Sequence, residues 1–327
     1  MPNAAVVYNP TKLKRDALDE VLEPARKKAG WSETRWYETE KGSPGTEQAR
    51  QAVEDGCDVV IAVGGDGTVR AVAEGLAGSD VPLALVPRGT GNLLAKNLKL
   101  PIYDLPATVQ IALEGPNRDI DLGFVDWKRP EGEEERKAFV VIAGMGLDAQ
   151  IMSSTDEELK KKVGVLAYVK AGMTALLKDR RMLIQYRVDD DSPKQAKVHT
   201  ILVGNVGTIG HNVTLMPDAS VDDGQLDIVA AQPSGPFGWF RLAWRVLVDN
   251  TLLRKVKPRK WRDRDDNAKE LSYRQAKEVT LVLREPEEIQ LDGDPFGKIR
   301  AVRVSVEPNG LSVKMPMGWA PGPKHAA

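Results

Sequence analysis

A chain of 327 residues is long enough to bury a sizeable core and to divide into two ordinary domains. Its 46 Lys and Arg balance 47 Asp and Glu, which excludes the global basic field of a nucleic-acid-binding protein, and its single cysteine, Cys57, excludes an internal disulfide or a cysteine-rich metal site. The N-terminus lacks the basic start and apolar stretch of a secretion signal, and no apolar run approaches the roughly 18 residues of a membrane span, so a cytoplasmic protein with only peripheral membrane contact is expected.

The first third alternates strand and helix signals. AAVVYNP (4–10) is a short apolar run ending at Asn9-Pro10; a charged helical stretch follows to about Ala29, and ETRWYET (33–39) alternates like a half-buried strand. A helix near 46–55, a strand over 58–63, a helix from Thr68, a strand over 81–87 and a short helix near 92–98 complete the series. Regular alternation with short links implies a parallel, Rossmann-like sheet covered on both faces. After about residue 120 the texture becomes strand after strand separated by turn residues, which predicts a β-rich, antiparallel, sandwich-like second domain. The boundaries drawn from this change are 1–120 for an α/β domain, completed by the C-terminal segment 314–327, and 121–313 for the β-rich domain. A helix beginning at Thr155, with Glu158 at capping-box spacing, interrupts the second domain, and KRPEGEEERK (128–137) reads as a solvated hairpin loop.

VVIAVGGDGTVRAV (59–72) breaks an apolar strand at two glycines and sets Asp66 between Gly65 and Gly67. Glycines at the carboxyl end of a parallel strand let the backbone approach a ligand, and the first N–H groups of the following helix form an anion site. Neither the P-loop pattern nor GxGxxG is present, so the turn is neither of those fingerprints. An aspartate beside a phosphate makes sense if it engages Mg²⁺ on a polyphosphate or takes a proton from an attacking hydroxyl. A bare Asp-Gly is equally the mark of a plain turn. Asp66 is expected as an exposed turn carboxylate, and Thr68 falls where a helix N-cap belongs. One strand later PRGTGN (87–92) again opens a helix with Gly89, Thr90, Gly91 and Asn92, so two glycine loops should share one edge of the sheet.

GGDGT (64–68), PRGTGN (87–92), Asn9-Pro10, DLG (121–123), PDASVDDGQLD (217–227) and LDGDP (291–295) occur in this order over nearly the whole chain. Together they resemble the diacylglycerol kinase catalytic family, in particular its soluble bacterial lipid kinases. The resemblance implies an ATP- and Mg²⁺-dependent kinase of a lipid hydroxyl, most readily diacylglycerol to phosphatidate, with the active site in the cleft between the domains. It implies nucleotide contacts at Asn9, Thr39, Gly64, Gly65, Asp66, Gly67, Thr68, Gly89, Thr90 and Asn92. Where the family's Asn-Pro is commonly followed by Ser-Gly, this chain has Thr11-Lys12-Leu13; Lys12 or Lys14 then neutralises phosphate, or both are surface lysines. Asp66, Asp121 and Asp294 are the implied catalytic carboxylates. The family's proton acceptor is usually the Glu of Leu-Asp-Gly-Glu; here it is Asp294, shorter by one C–C bond of about 1.5 Å. Three outcomes stay open: a working Asp294, a shifted role for Asp292, or weakened activity. An accessory Mg²⁺ site matches the Asp223 side chain with backbone oxygens of Leu226 and Ile228, and the same residues also read as an exposed acidic turn.

His199, His211 and His325 are too scattered for a metal cluster. Phe237, Phe240, Trp244, Leu247 and Thr251 repeat at helical spacing, and RKVKPRKWRDR (254–264) follows with seven basic residues and one acid. The segment 237–264 is therefore an expected contact with an anionic membrane at its inner face, each basic residue adding about 1 kcal/mol there; a core helix with a basic loop is the alternative. The expected partners are a lipid substrate at the membrane surface and no nucleic acid, and a homodimer is left open. A sphingoid base, another glycerolipid or NAD as acceptor, and a non-catalytic nucleotide or lipid sensor, are the competing functions.

Overall fold

The computed structural model describes residues 1–146, 181–209, 213–233, 238 and 271–320. The helix expected from Thr155, the segment 237–264, His211 and His325 lie outside the described residues.

The N-terminal half places β1 (Ala4–Tyr8), β2 (Thr34–Glu38), β3 (Val59–Gly64) and β4 (Leu83–Pro87) in parallel, in the order β4-β3-β1-β2. Every residue of β1, β3 and β4 is buried, as strands covered on both faces must be. The period of two sorts their side chains. Val60 and Ala62 of β3 pack with Val72 and Leu76 of α3 (Asp66–Leu76) and with Ala49 and Ala52 of α2 (Thr46–Glu54). Val59, Ile61 and Val63 face the opposite side, with Leu18 and Leu22 of α1 (Arg15–Lys28). The same side receives Val109, Ala112 and Leu113 of α5 (Leu105–Glu114), a helix the periodicity did not reveal. It starts at Asp104, whose carboxylate accepts from the Ala107 N–H at 2.9 Å, with Pro106 in its first turn.

Beyond α5 the strands are antiparallel. β5 (Asn117–Lys128) pairs with β6 (Glu134–Phe139) and with β16 (Asp294–Lys314). The 128–137 segment is thus a hairpin, but its second arm is already strand from Glu134. β7 (Ile142–Met145), β10 (Thr200–Gly204), β13 (Leu226–Ala231), β14 (Leu271–Ala276) and β15 (Glu278–Leu291) continue the sheet, with β8 (Met182–Val188) and β9 (Lys194–Val198) branching from β15, while β11 (Thr208–Ile209) and β12 (Val213–Thr214) pair separately. Their inward residues, Trp127, Phe139, Val203, Leu281, Ile289 and Val302 among them, form a separate core.

The two halves share one fourteen-stranded sheet. β16 stitches them together: its first part pairs with β15, its later part from Ala301 to Lys314 with β5, and Val313 pairs in parallel with Leu83 of β4. This continuity sets the β15–β16 turn, at the start of β16, against the carboxyl edge of the parallel strands.

Candidate active site

Two glycine loops meet at that edge. The register Gly64↔Pro87 brings the ends of β3 and β4 level, and the Arg88 N–H donates to the Gly64 carbonyl at 2.7 Å. Gly65 and Gly89 then touch through their backbones: a Cβ on Gly89 would stand 2.6 Å from the Gly65 Cα. Only glycine permits that approach. Gly65, extended at φ −92° and ψ −172°, is the N-cap of α3 and has no side chain to satisfy the first-turn N–H groups. Those orphan donors suit an anion. Thr68 is therefore not the N-cap; it lies within the first turn, 7% exposed, its hydroxyl packed beneath Gly64. The helix begins two residues earlier than expected because Gly65 takes the capping position.

Asp66 does not stand exposed in the turn. It is half-buried, and both carboxylate oxygens accept from the neighbouring loop: Oδ2 from the Asn92 N–H at 2.9 Å and Oδ1 from the Leu93 N–H at 2.6 Å. Burial raises its pKa, while those two donors and Lys96 pull the other way. The carboxylate thus caps α4 (Leu93–Asn97) from across the gap and fastens one glycine loop to the other. Asn92, at φ 48°, closes its own loop by exchanging hydrogen bonds with Gly89, each 2.8 Å. Thr90 projects from this loop, exposed. Asn9, at the end of β1, accepts from the Thr11 N–H and hydroxyl at 3.0 and 2.6 Å, an Asx turn leaving Lys12 and Lys14 exposed. Thr39, 6% exposed, is fixed beside β1 by its N–H to the Tyr8 carbonyl at 2.9 Å.

Facing these loops is the β15–β16 hairpin. Leu291 pairs with Asp294 across Asp292 and Gly293, whose φ values of 51° and 95° make the tight two-residue turn favoured by this dipeptide. The two aspartates then go opposite ways. Asp292 turns inward, its carboxylate accepting from the N–H groups of Val140, Val141 and Ile142 at 2.8 to 2.9 Å. Burial lifts its pKa to about 6 against the pull of those donors. A shifted catalytic role for Asp292 is thereby removed. Asp294 turns outward, its side chain 50% exposed, with Oδ2 so near Gly67 that a Cβ there would stand 2.6 Å away. One more charged group reaches this point. Arg70 of α3, overlooked in sequence reasoning, lies buried with Nη2 3.9 Å from Asp294 Oδ2. Its signal was a lone cation in the apolar stretch TVRAVA.

Residues 3–125 match the family model described as the diacylglycerol kinase catalytic domain, and residues 140–315 match the YegS C-terminal NAD kinase beta sandwich-like domain. The chain belongs to the diacylglycerol kinase catalytic family. A diacylglycerol kinase of Bacillus subtilis (strain 168) is 28% identical over 306 residues, covering 91% of this chain and 92% of its own. A crystal structure from Bacillus anthracis str. Sterne superimposes with a TM-score of 0.73 at 18% identity, over 97% of this chain and 96% of that one. An NAD kinase from Archaeoglobus fulgidus in complex with ATP shares the fold at a TM-score of 0.51 and 13% identity, over 96% and 94% of the two chains.

In this diacylglycerol kinase family member the remaining acidic candidates form a second group. Asp121, 1% exposed, accepts from the Gly224 N–H at 2.7 Å and the Asn309 N–H at 2.9 Å, while its main chain bonds Val221 and the Asn205 side chain. Asp121 thus joins the Gly224 turn to the β16 irregularity at Asn309. Asp223, beside it, has a pKa raised to about 6, first by burial and then by Asp121 and Asp222, although the Gln225 N–H stabilises its charge. Asp227 is wholly buried; the Tyr273 hydroxyl donates to its Oδ1, its Oδ2 has no hydrogen-bond partner, and burial lifts its pKa to about 8.

Hard oxygen donors and crowded negative charge fit a divalent cation at Asp223. Leu226 precedes the β10 ladder, which starts at Asp227, whereas Ile228 is flanked by Val203 and Arg274 on both sides. No three acidic, His or Cys side chains converge among the described residues, so a cation here would depend on main-chain oxygens and water. No helix among the described residues is long and apolar enough to cross a membrane.

Proposed function

We propose that this kinase transfers the γ-phosphoryl group of ATP to the hydroxyl of a lipid alcohol, converting diacylglycerol to phosphatidate. The observation that carries this reading is the arrangement of three elements at one point: the Gly65–Gly89 contact, the uncapped first turn of α3, and Asp294 against Gly67. The Bacillus subtilis relative named diacylglycerol kinase supports the acceptor, and the ATP held by an NAD kinase of the same fold supports the donor.

In this reading the N–H groups of Gly67 and Thr68 take the β- and γ-phosphates, while the loop around Thr90 closes the other side. The acceptor hydroxyl enters beside Asp294. Its oxygen attacks the γ-phosphorus, its proton passes to the Asp294 carboxylate, and the bond to the bridging oxygen breaks to release ADP. Magnesium, when bound to the triphosphate, neutralises part of its charge. Asp66 acts from behind, keeping the two loops at their contact distance. Asp223, with the backbone oxygens of Leu226 and Ile228, would hold a second cation with a structural role.

The kinase is further proposed to work from the cytoplasm at an anionic membrane surface reached through residues 237–264. Binding to anionic vesicles should then weaken with salt far more than binding to neutral ones; equal, salt-insensitive binding to both would count against it.

Labelled ATP offered with diacylglycerol, a sphingoid base and monoacylglycerol in mixed micelles, with and without magnesium, tests the main reading. Label in phosphatidate, dependent on magnesium, is expected. Label confined to another lipid would change the acceptor, and nucleotide binding without transfer to any lipid would make the chain a sensor.

A further inference from the structure

We propose that Arg70 is a positioning residue whose guanidinium holds the Asp294 carboxylate against Gly67. The inference rests on the reading above, in which Asp294 receives the acceptor's proton.

Arg70 is 5% exposed, one turn along α3 from Gly67, and its charge is held under the β15–β16 hairpin. The guanidinium lies over the Phe296 ring at 4.6 Å from its centroid; Phe296 in turn packs on Trp127 at 5.5 Å, and Arg129 covers Trp127 at 5.6 Å while donating to the Phe296 carbonyl at 3.0 Å. This alternating stack fixes the plane of the guanidinium. Nη1 is 3.8 Å from Glu74 Oε2, Nη2 is 3.9 Å from Asp294 Oδ2, and Nε has no hydrogen-bond partner.

A buried cation with an idle N–H is a poor device for stability, because desolvation costs more than such long contacts return. Nor does Glu74 require it: Lys137 Nζ is 3.3 Å away and the Ala138 N–H donates at 3.0 Å. Asp292 already has three backbone donors. Asp294 is different, since Arg70 is the sole ion-pair partner of its carboxylate among the described residues. The pair joins the helix that carries the phosphate loop to the strand that carries the proton acceptor, so it sets the distance between them. A misplacement of about 1 Å at that distance can cost on the order of 100-fold in rate.

Steady-state kinetics with ATP and diacylglycerol on Arg70→Gln and Arg70→Lys, each alone and combined with Asp294→Asn, test the role, with urea denaturation run in parallel. Expected is a fall of at least about 10-fold in kcat for Arg70→Gln with KM for ATP within about 2-fold, partial recovery in Arg70→Lys, and no additional loss in the Asp294→Asn background. Should the Gln variant not fold, Arg70→Lys decides: reduced kcat at unchanged KM supports the role, and a wild-type kcat overturns it. An unchanged kcat in Arg70→Gln, or the same fold-loss with and without Asp294→Asn, also overturns it. Full turnover by Asp294→Asn would overturn the underlying reading as well, whereas an inactive Asp294→Asn beside an unaffected Arg70→Gln overturns the positioning role alone.

Discussion

Gly89 sits so close to Gly65 that a methyl group on it would stand 2.6 Å from the Gly65 Cα, less than any real contact of that kind. The two phosphate-loop candidates are therefore one packed unit. At Gly67 the same intruding methyl would meet only the end of the Asp294 side chain, at 2.6 Å. Backbone cannot yield and a carboxylate can. Gly89→Ala should accordingly lower stability by about 1–3 kcal/mol and weaken ATP binding, read by urea denaturation and calorimetry. Gly67→Ala should leave the denaturation midpoint nearly unchanged yet reduce kcat at least about 10-fold. Equal destabilisation by both would contradict this difference.

Asp66 joins the same unit through charge. Two backbone hydrogen bonds to a carboxylate contribute about 1.5–3 kcal/mol each when fully shielded, and less for a half-buried group. Asp66→Ala should thus cost about 2 kcal/mol and raise KM for ATP together with its loss of turnover. A stable variant with normal ATP affinity and no turnover would return Asp66 to a purely chemical role.

Asp292 gives a pH signature. Its folded-state pKa of about 6 lies above the ordinary 3.8, so the folded chain binds that proton more tightly than the unfolded one. Its contribution is greatest below about pH 4 and is lost as the pH rises through about 6, on the order of 3 kcal/mol in all. Comparing wild type with Asp292→Asn by denaturation from pH 4.5 to 7.5 isolates that slope. The wild type should lose stability relative to the variant across this window; a constant difference would mean that burial does not perturb the carboxyl.

Asp294→Glu should keep or increase turnover, because a half-exposed side chain has room to extend by one methylene. Complete loss would mean that the Arg70 contact has been built around the shorter acid.

Much of this site was legible in the residues because its signals are local. Glycines after buried apolar runs mark strand ends, and two such runs in one parallel sheet bring their loops together. The start of α3 moved from Thr68 to Asp66 because Gly65, having no side chain, can still cap by backbone conformation. α5 escaped because LPATVQIALE is short, follows Pro101 and carries Pro106 in its first turn, so its helical period had little length in which to appear. The partners of Asp121 stayed hidden for a different reason. Gly224 and Asn309 lie 103 and 188 residues further on, and no local pattern reveals a carboxylate reserved for distant backbone N–H groups. Arg70 was visible as an isolated charge in an apolar helix, but its meaning required Phe296 and Asp294 to be folded over it.

The most direct test is a structure of the kinase with a non-hydrolysable ATP analogue and magnesium. The account predicts the β- and γ-phosphates on the N–H groups at the start of α3, between the loops of Gly65 and Gly89, with the γ-phosphate facing the Asp294 carboxylate. A triphosphate bound elsewhere, for instance in the roughly 420 Å³ cavity lined by Arg129, Glu285 and Lys298, would contradict it.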